Sequence, residues 1–389
     1  MKTKLLLLSA ISALMFVSSC SSDDDTITPS IPELEALELS NCSSGIAEGE
    51  TLILENRNNG VDYIINCTYP VNGDLIIDPG VTIQFGTDAT IRVYNSGSIQ
   101  ALGTAQNKVV FTGEDKVPGS WKGLYLISSD VKNKIQYATI EYAGAVGDDG
   151  AILLWSDTHL KMNNTNITNS QTYGLHANTN NNELLLENNT ITACKAPMYL
   201  DASYVSAISN GSYTGNNTDA IIVDRGFINE DHTWTKLNVP YHFPNGVDVI
   251  AGGNLTVMPG VIMKFGQDSR LFINEGAGGP KPSIIAVGTS AEPIVFTSID
   301  NVMSAWRGIY FDSPNALNEI GFATIENASN PDQEGAIETW YGTVLNVHDV
   351  SFKDIQNCAI HQYKFPADPD TLTSSNLTYI NVAHTFCQN

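Results

Sequence analysis

The sequence predicts an all-β protein built as a single-stranded parallel β-helix, a solenoid in which each coil adds short strands to stacked sheets. Three observations support this fold: a long internal repeat, a finer coil period within each half, and no helical apolar stripe after the first twenty residues. We expect one continuous body over residues 36–389, with caps at residues 36–60 and beyond about 381 because solenoid ends expose strand edges.

The internal repeat relates two halves of the chain, about residues 60–200 and 238–385. Leu75–Gly86 recurs as Leu255–Gly266 at an offset of 180 residues. After an insertion around Gly276–Pro282 the offset becomes 185, and it then relates Trp121 to Trp306, Ala138 to Ala323, Gly150 to Gly335, Trp155 to Trp340 and His176 to His361. So many matches at one offset indicate a duplicated unit.

The coil period is visible in apolar residues that return once per coil. One set is Ile140, Ile167 and Ile191, spaced 27 and 24 residues apart, and the other is Ile325, Phe352 and Ile380, spaced 27 and 28. We expect each set to stack inward as a column while flanking residues such as Thr139, Asn166 and Thr190 face outward.

Turn residues separate these segments. Pro79–Gly80 and Pro259–Gly260 are suited to turning the chain between two faces of a coil, since proline fixes the backbone and glycine relaxes it. Asn164 and Asn188 stand at equivalent distances before their isoleucines, and we expect them to form a hydrogen-bonded ladder between coils.

The composition and net charge of the chain exclude several classes of protein and disfavour some binding partners. Charged residues make up 16% and hydrophobic residues 42%, with 31 glycines, which excludes a coiled coil, a disordered tail protein and a disulfide-dense miniature domain. The net charge is −23, and without Lys2 and Lys4 it is −25, from 17 basic and 42 acidic residues. Nucleic acid and bare anionic membranes are therefore expected to be poor partners, because both need a basic footprint.

The first residues resemble a bacterial lipoprotein signal. Lys2 and Lys4 precede an apolar stretch from Leu5 to Val17 that is too short to span a bilayer, and Ser18–Cys20 ends it. The resemblance implies that residues 1–19 are removed and that the thiol of Cys20 carries diacylglycerol. An ordinary secretory leader with a chance cysteine is the alternative.

Residues 20–35 are predicted to be a tether, since they cannot bury a core. Ser21–Asp25 resembles the acidic export tag of lipoproteins that Bacteroidota move to the outer face of the outer membrane, although a plain solvated tether would also explain the acids. The expected location is the outer membrane, lipid-anchored and exposed at the cell surface.

Cysteine usage fits this location. Of six cysteines, five remain without Cys20, so at least one thiol per chain is unpaired. Disulfides are permitted outside the cytoplasm, and the candidate pairs are Cys42 with Cys67 and Cys358 with Cys387, one at each end. No cysteine or histidine spacing suits zinc, so no metal or cofactor is predicted.

Four recurring strings now identify a family resemblance: Pro-Gly-Val-x-x-x-Phe-Gly, Ala-x-Gly-Thr-Ala/Ser, Val-x-Phe-Thr and Trp-x-Gly-Ile/Leu. They resemble right-handed parallel β-helix lipoproteins of Bacteroidota, whose fold is shared with pectate lyases and polygalacturonases. The resemblance covers about residues 60–385 and implies a right-handed helix and a surface habitat. It says little about activity, because this scaffold carries enzymes, adhesins and spikes alike.

A polysaccharide-cleaving enzyme of this fold should show stacked acids, since neighbouring coils are about 4.8 Å apart. The outward column of Glu141 continues as Thr168 and Thr192, and that of Glu326 as Lys353 and Asn381. Asp148 and Asp149, with Glu334 near the equivalent stretch, are interpreted as a solvated bend, and His176 and His361 as outward strand residues. No catalytic residue is therefore assigned.

Tryptophans give the binding hypothesis its residues. Trp121 and Trp306 are expected to fill a coil corner, whereas Trp155 and Trp340 are candidates for stacking on sugar rings, exposed on one lateral face. The sequence thus favours a surface module that binds glycan, adheres or serves a structural role, with polysaccharide as the expected partner. The alternative is a polysaccharide lyase or glycoside hydrolase of the pectate-lyase-like fold.

Overall fold

The computed structural model describes residues 35–389 except 59, 146, 148, 156, 178–181, 225, 277, 304, 330–333 and 368. Within these residues the chain is a parallel β-helix, as predicted, and its one helical segment is a short 3₁₀ helix, Ala202–Ala207. Every strand pairing between successive coils is parallel, so the chain always crosses a given face in the same direction.

The strands of the first half are β1 (Leu37–Glu38), β2 (Thr51–Leu54), β3 (Tyr63–Ile65), β4 (Thr68–Val71), β5 (Asp74–Ile77), β6 (Thr82–Phe85), β7 (Thr90–Asn95), β8 (Ser98–Leu102), β9 (Val109–Gly113), β10 (Gly123–Ser128), β11 (Lys134–Gln136), β12 (Ala138–Glu141), β13 (Gly150–Leu154), β14 (His159–Asn163), β15 (Asn166–Thr168), β16 (Tyr173–Ala177), β17 (Glu183–Thr192), β18 (Met198–Leu200) and β19 (Ile208–Ser212).

The remaining strands are β20 (Ile221–Val223), β21 (Phe227–Ile228), β22 (Asp231–Trp234), β23 (Tyr241–Phe243), β24 (Val247–Val249), β25 (Asn254–Val257), β26 (Ile262–Phe265), β27 (Arg270–Asn274), β28 (Ser283–Val287), β29 (Ile294–Ser298), β30 (Gly308–Asp312), β31 (Glu319–Glu326), β32 (Gly335–Thr339), β33 (Leu345–Gln362), β34 (Leu372–Ser375) and β35 (Thr378–Gln388).

These strands stack into five sheets, and the long strands β17, β31, β33 and β35 pass a corner and join two or more of them. Sheet 1 is β2-β5-β8-β11-β14-β17-β19 and sheet 2 is β1-β3-β6-β9-β12-β15-β17. Sheet 3 is β4-β7-β10-β13-β16-β18-β20-β23-β26-β29-β31-β33-β35 and runs through both halves. Sheet 4 is β22-β25-β28-β31-β33-β34 and sheet 5 is β21-β24-β27-β30-β32-β33-β35.

The strands of sheet 3 show that equivalent strands of the two halves lie on different faces of the solenoid. In the first half it contains β13, but in the second half it contains β26, which repeats the sequence of β6 from sheet 2. The repeat of β13 is β32, which lies in sheet 5. The second half is therefore the same unit turned by one face about the helix axis. The turn arises in the segment over residues 201–252, where the strict sequence repeat is broken.

The core is a continuous apolar column inside the coils. Ile140, Ile167 and Ile191 are direct ladder partners and fully buried, as expected. In the second half Ile325 pairs with Phe352 as expected, but Phe352 continues to Tyr379, while Ile380 pairs with Lys353 and is exposed. The expectation for Ile380 was wrong by one residue, because the coil between them is one residue shorter than the spacing of the isoleucine implies.

Each coil turns its corners through residues in the left-handed conformation, which asparagine and aspartate tolerate better than other side chains. The corner between the first two strands of a coil has φ between 45° and 55° and is formed by Tyr137, Asn164, Asn188, Asn210, Phe322, Asp349 and Asn376. The periodic asparagines therefore mark corners of the chain.

The expected ladder through Asn164 and Asn188 is not the one that forms. The side chain of Asn164 donates to Asn163 Oδ1 of its own coil at 3.3 Å. The fully buried Asn189 makes the contact between coils instead, because its Oδ1 accepts from the backbone N–H of Thr165 at 3.1 Å and its Nδ2 donates to the Met162 carbonyl at 3.0 Å. Asn164 and Asn188 therefore recur because the corners of the coil require the left-handed conformation, and not because their side chains form a ladder.

The two ends of the solenoid differ. At the N-terminal end β1 adds to sheet 2, and the Cys42–Cys67 disulfide ties the following loop to the first coil. At the C-terminal end, where a cap was expected beyond about residue 381, the outer coil is β35 itself, and Tyr379, Ile380 and Phe386 are exposed along it. No helix among the described residues is long and apolar enough to cross a membrane.

Candidate functional site

Trp155 and Trp340 are exposed at equivalent strand ends. Each follows a Gly-Ala-Ile strand, β13 or β32, and donates its backbone N–H to the preceding coil, Trp155 to Leu126 at 3.0 Å and Trp340 to Phe311 at 2.8 Å. Their exposed fractions are 47% and 44%. They do not share a lateral face, however, because β13 lies in sheet 3 and β32 in sheet 5. The expectation of one common face was wrong, since the second half is turned by one face.

Trp340 belongs to a cluster of rings that we call the aromatic patch, formed by Trp340, Tyr341, Tyr363 and Phe365. The ring centroids of Trp340 and Tyr363 are 5.3 Å apart, and Tyr341 stacks on Phe365 at 4.2 Å with an interplanar angle of 15°. Tyr341 also lies 6.1 Å from Tyr363. Since Trp340, Tyr341 and Phe365 are exposed, the patch presents ring surface to solvent.

The first half lacks this patch. By the 185-residue offset, Tyr363 corresponds to Asn178, which is outside the described residues. The rings nearby are instead Tyr173 and Tyr199, 5.1 Å apart, with the ammonium of Lys195 4.6 Å from the centroid of Tyr173. The exposed Trp155 is thus the shared feature, and the surrounding rings are particular to each half.

A row of buried polar side chains runs beside the aromatic patch on the outward side of sheet 5. Tyr310, Glu338 and His361 are ladder partners on β30, β32 and β33, with exposed fractions of 5%, 4% and 2%. They alternate with the inward residues Ile337 and Ile360. Trp340 follows Glu338 by two residues, so both side chains point to the same side of the sheet.

Glu338 has an unusual environment for a carboxyl group. Burial raises its pKa to about 7, and the nearby charge of Glu334 acts in the same direction. The Glu334 backbone, the neighbouring Tyr310 hydroxyl and the positive charge of Arg270 oppose this rise. A carboxyl with a pKa near neutrality can hold and release a proton under physiological conditions.

Glu334 immediately precedes β32, the strand that contains Glu338, and its side chain has a different environment. Its Oε2 is 3.0 Å from Nε2 of His361, 2.9 Å from the hydroxyl of Tyr363 and 3.2 Å from Nδ2 of Asn389. Its side chain is half-exposed. Nδ1 of His361 is buried and has no hydrogen-bond partner among the described residues. The site thus combines one buried and one solvated carboxyl around a single imidazole.

The first half contains a weaker version of the same arrangement. Asp149 Oδ2 is 3.8 Å from Nδ1 of His176, and the position of Glu338 is taken by Leu153, the ladder partner of His176. Asp148 lies outside the described residues. The interpretation of Asp149 and Glu334 as a solvated bend missed that both acids meet a histidine of the next coil.

The Glu338 site was not found from the sequence, although a signal existed. The matched strings Gly150-Ala-Ile-Leu-Leu and Gly335-Ala-Ile-Glu-Thr differ at their last two positions, where Glu338 replaces Leu153 and Thr339 replaces Leu154. A charge that replaces a leucine inside an otherwise apolar repeat is worth attention, because a buried acid is costly unless it has partners. Tyr341, Tyr363 and Phe365 had no repeat match to point to them.

The other sequence candidates lie as follows. Glu141 pairs with Thr168, which pairs with Thr192, and its Oε1 accepts from the Thr112 hydroxyl at 2.7 Å. Glu326 pairs with Lys353, which continues to Ile380, where Asn381 was expected. These columns contain no second acid beside the first.

Trp121 and Trp306 fill coil corners, as expected, and are fully buried. Trp121 stacks on Phe85 at 3.9 Å and Trp306 on Phe265 at 4.4 Å. Each indole Nε1 donates to a backbone carbonyl at 2.9 Å, Glu141 for Trp121 and Glu326 for Trp306. These two tryptophans therefore belong to the core.

The structure joins Cys42 to Cys67 and Cys358 to Cys387, with Cα atoms 6.0 Å apart in both pairs, and leaves Cys194 as a buried free thiol. Burial raises the pKa of Cys194 to about 11. No three His, Cys, Asp or Glu side chains in the described part of the chain are arranged to hold a metal ion. Cys20, the predicted leader and most of the predicted tether lie outside the described residues.

Two family models match the chain. A pectate-lyase-like β-helix domain matches residues 49–152, and a right-handed β-helix region matches residues 118–257. Searches of curated proteins and of solved structures found no significant match. The matched fold supports a carbohydrate-related surface or enzyme module. Residues 49–257 are therefore similar to pectate-lyase-like and right-handed β-helix domains, in agreement with the parallel β-helix of the structure.

Proposed function

We propose that this protein is a lipid-anchored lipoprotein of the bacterial cell surface whose β-helix binds polysaccharide through the aromatic patch. The observation that carries the proposal is the group of neighbouring rings after β32 and β33, of which Trp340, Tyr341 and Phe365 are exposed. Exposed tyrosine and tryptophan rings offer a flat apolar face with polar edges, which suits the faces and hydroxyls of sugar rings.

The size of the aromatic patch fits a polymer better than a single sugar. One aromatic contact contributes roughly 0.5–1.5 kcal/mol beyond its buried area, so one ring alone would hold a sugar only weakly. Several rings in contact, from Trp340 to Phe365, let successive sugar units of one chain bind together, and linked contacts raise the overall affinity.

The proposed anchoring rests on the sequence. The charged start, the short apolar stretch and Cys20 have the order of a lipoprotein signal, and Ser21–Asp25 resembles an export tag. A mature charge of −25 (17 basic against 42 acidic residues) suits an exposed, soluble body held by acyl chains. The acidic body also favours neutral glycans over anionic ones, because like charges repel.

Affinity electrophoresis through gels containing single neutral polysaccharides tests the binding proposal. Trp340→Ala with Tyr341→Ala should abolish the retardation that the unchanged protein shows, because the two substitutions remove most of the exposed ring surface. Trp155→Ala is the matched control, since it removes an equally exposed tryptophan on another sheet, and it should leave retardation at the patch within about twofold.

Thermal melting separates binding from folding. Because Trp340 and Tyr341 are exposed, their removal should leave the melting temperature almost unchanged. Retardation that survives the double substitution would refute the proposal for the aromatic patch, and so would equal loss of retardation in Trp155→Ala.

A further inference from the structure

The segment over residues 201–252, which breaks the sequence repeat, holds a cluster of polar side chains apart from the aromatic patch. It contains the one helical segment of the described chain, the 3₁₀ helix Ala202–Ala207, which packs against β22. Ser206 in this helix and His232 in β22 are joined by a hydrogen bond of 3.0 Å between Oγ and Nδ1. On the other side of the same ring, Nε2 lies 3.6 Å from Oε1 of Glu230. A hydroxyl, an imidazole and a carboxylate therefore lie in one row.

We propose that Ser206, His232 and Glu230 form a nucleophilic site that hydrolyses small neutral acyl esters. Ser206 is the nucleophile, His232 is the general base, and Glu230 orients the imidazole. This activity goes beyond glycan binding, because it acts on a different kind of bond and does not use the aromatic patch.

The hydrogen bonds around Ser206 determine where its proton points. Its Oγ accepts a hydrogen bond from the backbone N–H of Thr233 at 3.1 Å. A hydroxyl has one proton to donate, and Nδ1 of His232 is the acceptor within reach. We therefore assign the proton of His232 to Nε2, the nitrogen that faces the carboxylate of Glu230. With this order of protons the imidazole can take a proton from the serine hydroxyl.

His232 is suited to act as a base because its ring is buried in a neutral form. The residue is 6% exposed, whereas Ser206 and Glu230 are exposed. Burial lowers the pKa of His232, and the carboxylates of Glu230, Asp201 and Asp231 oppose this change. The imidazole is therefore mostly neutral at physiological pH, as a general base must be.

One buried atom of the cluster lacks a hydrogen bond. Nε2 of His232 has no hydrogen-bond partner among the described residues, because 3.6 Å from Glu230 is too long for one. Buried polar groups are normally satisfied, so an unsatisfied one calls for an explanation. Catalytic hydrogen bonds are often long without substrate and shorten when it binds. The exposed carboxylate of Glu230 can move the remaining distance when a positive charge develops on His232.

The reaction passes through a covalent acyl-serine and uses water as its only co-reactant. Ser206 Oγ forms a bond to the ester carbonyl carbon while Nδ1 of His232 takes the hydroxyl proton. The bond from that carbon to the alcohol oxygen then breaks, and Nδ1 gives the proton to the departing alcohol. A water molecule next bonds to the acyl carbon and gives one proton to Nδ1. The acid is released as this proton returns to Ser206 Oγ. The backbone N–H of Thr233, close to Oγ, is a donor for the carbonyl oxygen that becomes negative.

The surroundings of Ser206 favour a small ester without negative charge. Asp201, Glu230 and Asp231 all lie close enough to His232 to act on its pKa, and their carboxylates repel an anionic substrate. An acyl group held at an exposed serine buries little apolar area, which suits a short chain such as acetyl.

Hydrolysis of p-nitrophenyl acetate by the full chain tests the site. We expect turnover above the background rate, and Ser206→Ala and His232→Gln should each lower kcat/KM by about 100-fold or more. Ser203→Ala is the matched control, because it removes a hydroxyl of the same helix that donates to Asp201 and not to a histidine. This control should stay within about twofold of the unchanged protein.

Covalent labelling provides a measurement that does not depend on the folding of a variant. A fluorophosphonate forms a bond from its phosphorus to an activated serine oxygen and releases fluoride. We expect it to add one phosphonyl group to the unchanged protein, and peptide mass mapping should place that group on Ser206. A serine that only accepts a hydrogen bond from Thr233 would react no faster than Ser203.

Glu230 is a positioning residue, because it acts through His232. Glu230→Gln should lower kcat while KM stays almost unchanged. Since Glu230 raises the pKa of His232, loss of its charge should also move the acidic limb of the pH profile to lower pH. A merely structural role would leave this limb in place, so an unshifted limb overturns the assignment of Glu230.

The outcomes separate this site from the aromatic patch. Hydrolysis that persists in Ser206→Ala, or equal labelling of Ser203 and Ser206, overturns the nucleophilic site, and so does a folded protein with neither turnover nor labelling. Labelling of Ser206 without turnover supports the nucleophile and overturns the acetyl ester as its substrate. Gel retardation by polysaccharide is a separate result, because Ser206→Ala leaves Trp340 and Tyr341 in place.

Discussion

At the scale of single residues, one exchange distinguishes the buried polar row of sheet 5 from the equivalent place in the first half. Leu153 in the first half and Glu338 in the second lie at the same place in the repeat, between a tyrosine of the preceding coil and a histidine of the next. The second half therefore has a buried group that can hold a proton at a place where the first half has an apolar side chain.

The first prediction concerns the stability contributed by Glu338. Its pKa is raised from 4.5 to about 7 by burial, so the folded state holds the proton more tightly than the unfolded chain. The contribution of Glu338 to the free energy of unfolding should therefore be most favourable below pH 4.5 and fall as pH rises to about 7, by up to about 3 kcal/mol. Chemical denaturation across this range measures it.

Glu338→Gln should remove this dependence, because the amide stays neutral. The variant should be more stable than the unchanged protein at pH 8 and similar to it near pH 4.5. Glu326→Gln provides the comparison, because its half-buried side chain lies on sheet 3, away from this cluster. An unchanged slope of stability against pH in Glu338→Gln would contradict the buried, protonated carboxyl.

At the scale of strands and coils, the inward columns dominate the energetics. Ile167 pairs with Ile140 and Ile191 and is fully buried, whereas its neighbour Asn166 points outward between Thr139 and Thr190. Ile167→Asp should lower the free energy of unfolding by several kcal/mol, because it buries a charge without a partner. Denaturant titration followed by circular dichroism measures the loss.

Asn166→Asp is the matched control for that substitution. It introduces the same aspartate one residue away on the outward face, so it should change stability by less than about 1 kcal/mol. Equal losses from both variants would show that the inward and outward assignment of this strand is incorrect.

The sequence was sufficient for the coils because their period is expressed in residue types. Apolar columns and corner asparagines return at each turn, so strand positions and the burial of Trp121 and Trp306 could be predicted. Two kinds of error remained. The ladder predicted for Asn164 and Asn188 was wrong because regular spacing alone does not distinguish a corner residue from one that contacts the next coil. The position of Ile380 was wrong because a change of one residue in a corner shifts the strand register without disrupting the apolar pattern of the sequence.

The candidate site was harder to predict for a physical reason. Trp155 and Trp340 could be selected as exposed because each follows a matched strand. The contacts of Glu334 and Glu338 with His361 depend on which strands become neighbours across coils, which one chain pattern does not reveal. The face on which these residues lie also depends on residues 201–252, which link the two halves. The sequence alone does not show how many short strands of this segment pair with the neighbouring coils.

At the scale of the whole molecule, attachment to the membrane is predicted to depend on one thiol. Cys20→Ala should move the protein from the membrane fraction to the soluble fraction or leave the leader uncleaved, because stable attachment would require acyl chains on Cys20. Fractionation and intact mass measure the change.

Cys194→Ala is the control for that experiment, since it removes a free thiol that is buried in the core. It should leave fractionation and processing unchanged. A Cys20→Ala protein with the same membrane partitioning and the same mature mass as the unchanged protein would contradict the lipoprotein assignment.

The second half is rotated by one face about the helix axis relative to the first half, and this rotation limits which residues a long ligand can contact at the same time. Trp155 ends a strand of sheet 3 and Trp340 a strand of sheet 5, so the two tryptophans look out in different directions. A straight polymer laid along the solenoid passes over one of them and misses the other. The duplication therefore places the two exposed tryptophans on two different faces instead of forming one longer binding surface. To contact both, a glycan must wind around the solenoid, or two glycan chains must bind to the two faces.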